Sequence, residues 1–134
     1  MRGASALEEI LSRRAGRPLA VFVVWEPVIL TDIAPVSTRV LARVGDGRAS
    51  QWWDPDHRLS EALVAAALAD KEAWKTGDYE FALDENTLVW DAVMLVEAGA
   101  VWGEHPPAPR FSGFPVVDAA AGLEAALDAP APGD

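Results

Sequence analysis

The sequence predicts an α/β domain, and three observations carry that expectation. Residues 19–25 form an unbroken apolar run rich in β-branched side chains, the mark of a strand rather than a helix turn. Segments with helical spacing alternate with strand-like segments along most of the chain, as in a sheet with crossover helices. Turn and capping residues punctuate the boundaries between them. The chain has 134 residues, enough for one domain across 1–134, with residues 1–4 and 129–134 expected as flexible tails.

Ser5 and Glu8 have capping-box spacing, and Leu7, Ile10 and Leu11 share one face before Gly16, which predicts a helix over Ser5 to Ala15. Pro18 opens the apolar run, whose lack of polar alternation predicts a central strand covered on both faces. Beyond Pro27 and Pro35, residues Val36, Val40, Leu41 and Val44 repeat at helical spacing up to the turn Gly45-Asp46-Gly47. Arg48 to Trp53 reads as a second, less apolar strand.

In Asp54-Pro55-Asp56 either acid suits the cap of the next helix, and Pro55 suits its first turn. Leu59, Leu63, Ala66, Ala67 and Trp74 supply its buried stripe. The acidic stretch 78–86 reads as a surface loop. Leu88 to Val96 is expected as a strand, Glu97-Ala98-Gly99 as a hairpin turn and Ala100 to Gly103 as the returning strand. The prolines at 106, 107 and 109 stop that strand and make a rigid connection to a last helix, capped by Asp118 and anchored by Leu123 and Leu127.

This order of elements, with Val21-Phe22-Val23-Val24-Trp25-Glu26-Pro27 and Val93-Met94-Leu95-Val96-Glu97-Ala98-Gly99 as its strongest segments, resembles the thioredoxin-like fold superfamily from about Leu7 to Leu127. The resemblance implies a four-stranded mixed central sheet flanked by helices on both faces. It also implies a redox site that this chain lacks. Where the family carries CxxC, the chain reads Glu26-Pro27-Val28-Ile29-Leu30-Thr31-Asp32, and where the family carries a cis-proline it reads Val89-Trp90-Asp91. There is no cysteine anywhere, and thiol–disulfide exchange needs an attacking thiolate. The expectation is a divergent member that is not a thiol–disulfide oxidoreductase.

Composition excludes further classes. Eleven Lys and Arg against twenty-one Asp and Glu give a net charge of −10, unsuited to neutralising phosphates, so nucleic acid is not an expected partner. No apolar run is long enough to span a bilayer, so no membrane is expected, and the chain reads as a soluble cytoplasmic protein. Phosphate-loop, GxGxxG, GxSxG and HExxH motifs are absent, and no cofactor is expected.

One constellation stands out. Three of the six tryptophans precede an acid, as Trp25-Glu26, Trp53-Asp54 and Trp90-Asp91. In the expected topology the first two strands run parallel and end together, and the third begins beside them. All three doublets then meet at the rim where open α/β sheets usually bind ligands, with Asp32, Asp56 and His57 just above. Three readings follow. The acids cap the helix and the rings close the core; or Trp25, Glu26, Asp32, Trp53, Asp54, His57, Trp90 and Asp91 bind a protein or small-molecule ligand; or Glu26, Asp54, Asp91 and His57 make a metal or acid–base site. The binding module is the leading reading, the metal-binding protein or enzyme its alternative, and a homodimer is left open.

Overall fold

The computed structural model describes residues 2–29, 31, 33–76 and 86–130, so the expected acidic loop at 78–86 lies almost wholly outside the described residues. The elements are α1 (Arg2–Arg13), β1 (Val21–Trp25), α2 (Thr38–Leu41), β2 (Ala49–Trp53), α3 (Arg58–Ala69), β3 (Val93–Leu95), β4 (Phe111–Gly113) and α4 (Val116–Asp128). The chain is therefore mixed α/β, as expected.

Among the described residues the expected four-stranded central sheet is not formed. Instead β1 pairs with β2 in parallel, and β3 pairs with β4 antiparallel, as two separate sheets. The backbone before β3 explains the split. Asp91 adopts a left-handed conformation (φ 48°), which ends any extended run from Leu88, and the Val89 N–H is bonded to the Ser60 hydroxyl (3.1 Å) instead of to a neighbouring strand. Three residues are then left to form β3. The partner also differs from expectation. Ala100–Gly103 is not a strand, and the return is made by β4 beyond the proline segment, with Val93 opposite Gly113 and Leu95 opposite Phe111. Pro106 and Pro109 are buried, so the proline segment packs as a connection.

The main core lies between α1 and α4, where Ile10, Leu123 and Leu127 pack with Leu19, Val93, Leu95 and Phe111. The two helices run side by side in the same direction. A Cβ on Gly3 would meet Val116 at one end, and Arg14 pairs with Asp128 (2.7 Å) at the other. Glu124 and Asp128 sit where the α4 dipole disfavours negative charge, and Arg13, Arg14 and Arg17 offset them. Hydrogen bonding from Arg13, then Arg14, lowers the Glu124 carboxyl below its ordinary range.

Both of these helices end on an arginine from elsewhere in the chain. Arg48 donates to the carbonyls of Leu11, Arg14 and Arg17, each at 2.8 Å, and so satisfies groups that the end of α1 leaves free. Asp46 holds that guanidinium through two bonds (2.8 and 2.6 Å), and Arg48 in turn pulls the Asp46 carboxyl down to about 2. Arg110 plays the corresponding part for α4, donating to the Ala126 carbonyl at 2.8 Å.

Several boundaries differ from the sequence reading. α1 begins at Arg2, which puts Ser5 inside the helix, and Glu8 accepts the Gly45 (2.9 Å) and Asp46 (3.2 Å) N–H groups in place of a capping box. α2 keeps only four residues of its predicted turns. α4 starts on Pro115, with Asp118 inside its first turn rather than at its cap. On α3 the buried residues are Ser60, Val64, Ala66 and Ala67, while Leu59 and Leu63 are only partly buried; Leu63 packs against Ala66, Ala67 and Trp74, which cluster as expected.

Among the described residues the expected cover on both faces of β1 is also absent. One face of β1–β2 carries Val23, Trp25, Gln51 and Trp53 and is tied to the α2 region, where the Gln51 amide donates to the Leu41 and Val44 carbonyls at 3.0 Å each. The other carries Phe22, Val24, Ser50 and Trp52, and there Phe22 is 71% and Trp52 61% exposed.

Candidate functional site

The parallel register sets Trp25 beside Trp53, so Glu26 and Asp54 leave the sheet at the same end. The Asp54 N–H donates to the Trp25 carbonyl (2.9 Å), which extends the pairing one step beyond the strands. The Trp25 indole N–H donates to Gln51 Oε1 at 3.1 Å, and both rings are half-buried. The geometry thus delivers two neighbouring carboxylates to the start of α3.

Both carboxylates are taken up by that helix. Asp54 Oδ2 accepts the Leu59 N–H (2.8 Å) and Asp54 Oδ1 the Asp56 N–H (3.3 Å), while Glu26 Oε1 accepts the Ser60 N–H (3.2 Å). The Leu59 and Ser60 N–H groups are donors that a helix start leaves without partners, and negative charge is favoured there. Glu26 Oε2 also accepts the Ser60 hydroxyl at 2.7 Å, and the Glu26 side chain is only 7% exposed. Neither of the two acids expected as the cap stands at that position: Asp54 accepts the Leu59 N–H from three residues before it, and Asp56 is exposed and pairs with Arg58 at 3.1 Å.

His57 occupies the capping position in a left-handed conformation (φ 58°). Its Nδ1 is buried without a hydrogen bond and lies 3.6 Å from Glu26 Oε2, beyond hydrogen-bond reach. The rest of the ring is part-exposed.

The third doublet joins through Ser60, whose hydroxyl links Glu26 to Val89, next to Trp90. Trp90 is half-exposed, with its ring edge-to-face on Phe114 (centroids 5.5 Å apart, planes at 71°), beside the cis Phe114–Pro115 peptide. Asp91 diverges from the other acids. Its carbonyl accepts the Val116 N–H (2.9 Å) at the start of α4, and its carboxylate packs where a Cβ on Gly3 would stand.

The structure thus links Trp25, Glu26, Trp53, Asp54 and His57 around the first turn of α3, brings Trp90 to the same region through Val89, and turns Asp91 toward α1. Asp32 lies outside the described residues. Among the described residues no group of three or more His, Asp and Glu side chains is arranged to hold a metal ion. No helix among them is long and apolar enough to cross a membrane.

Three residues of consequence escape the sequence reading. Ser60 gives itself away only as a polar residue at the helical spacing of Val64 and Ala67. Phe22 and Trp52 look like core residues within their strands, and only the tertiary arrangement exposes them. Comparison with protein-family models, with curated proteins and with solved structures finds no match to this chain.

Proposed function

We propose that this chain is a non-redox binding module that engages a protein partner through the Phe22–Trp52 face of its parallel sheet and the adjoining tryptophan-rich rim. One observation carries the reading: a parallel sheet, normally covered on both faces, leaves two large aromatic side chains of one face 71% and 61% exposed. Tryptophan is among the residues that most often anchor interfaces, and Trp90 adds a third exposed ring near the rim. The net charge of −10 favours partners that present Lys and Arg around their apolar contact and works against a second copy. A cysteine-free chain has no thiol for redox exchange.

The alternative, a metal or acid–base site on the rim carboxylates, has less support, because Glu26 and Asp54 already accept the first N–H groups of α3 and Asp91 faces α1. What the geometry offers a partner is aromatic surface rather than free carboxylates.

The test places a photo-crosslinker at exposed Ser50, between Phe22 and Trp52 on the same face, in cells that express the protein naturally. A discrete adduct should form and should vanish in the Phe22→Ser/Trp52→Ser double variant, whose circular dichroism stays native. An adduct that survives the double variant, or single variants that unfold, would overturn the proposal. An adduct consisting of two copies of this chain would replace the foreign partner with a homodimer.

A further inference from the structure

We draw no further inference here: the strongest candidate, the exposed apolar face that Phe22, Val24 and Trp52 form on the β1–β2 sheet, belongs to the site already described, and nothing in the structure shows what covers it.

Discussion

Replacing Ser60 by Ala probes the junction on which the rim is built. The hydroxyl is buried, donates to Glu26 Oε2 at 2.7 Å and accepts the Val89 N–H at 3.1 Å. Losing the bond to a carboxylate costs roughly 1.5–3 kcal/mol, and leaving a buried N–H without a partner costs roughly 1–3 kcal/mol. Alanine returns about 0.5 kcal/mol through its better helix propensity. The net expectation is a loss of about 2–5.5 kcal/mol, or roughly 6–22 °C in Tm for a domain of this size. Urea unfolding followed by tryptophan fluorescence reads it, with exposed Ser50→Ala as the control expected within about 0.5 kcal/mol of wild type. A double-mutant cycle with Glu26→Gln should show a coupling of at least ~0.5 kcal/mol. A loss below ~1 kcal/mol for Ser60→Ala, or strict additivity with Glu26→Gln, would refute the view that Ser60 joins β1, α3 and the segment before β3.

Other expectations follow from the same contacts. Asp46 is held down at about 2 by Arg48, against 3.8 when free, so its ion pair stabilises the fold fully above pH 4 and loses that contribution as pH falls toward 2. Acid titration of Tm should therefore be flatter over that window in Asp46→Asn than in wild type. Ile10→Ala, at a site only 1% exposed between α1 and α4, should cost about 2–5 kcal/mol in chemical denaturation. Gly113→Ala would drive a methyl into Ala119 of α4 and against Phe111, at a cost of about 1–3 kcal/mol by the same measurement. Trp52→Ser should cost about 1–2 kcal/mol, less than Ile10→Ala, since most of the ring is already in water.

The strands and helices were legible where their signal is local. The β-branched run gave β1, and Leu123 and Leu127 marked α4, because periodicity follows from which face a residue buries. The pairing of strands was not legible. Val93–Leu95 pairs with β4 and not with β1, and it follows a left-handed turn at Asp91 and a backbone N–H held by a serine hydroxyl 29 positions upstream, neither of which leaves a mark in hydrophobic pattern. The candidate site was legible in part. Parallel pairing does bring Trp25-Glu26 and Trp53-Asp54 to one end, yet their carboxylates serve the start of α3, the role that the capping rule assigns to acids before a helix. The exposure of Phe22 and Trp52 could not be read, since strand alternation tells which residues share a face but not whether anything lies on it.

The side-by-side pairing of α1 and α4 also bears on synthesis. Ile10 leaves the ribosome about 110 residues before Leu123 and Leu127, the α4 residues that shelter it. A chain halted before Leu123 would carry α1 with its greasy stripe bare to water, a target for chaperones and proteases, so termination within α4 should be as damaging as a lesion in α1.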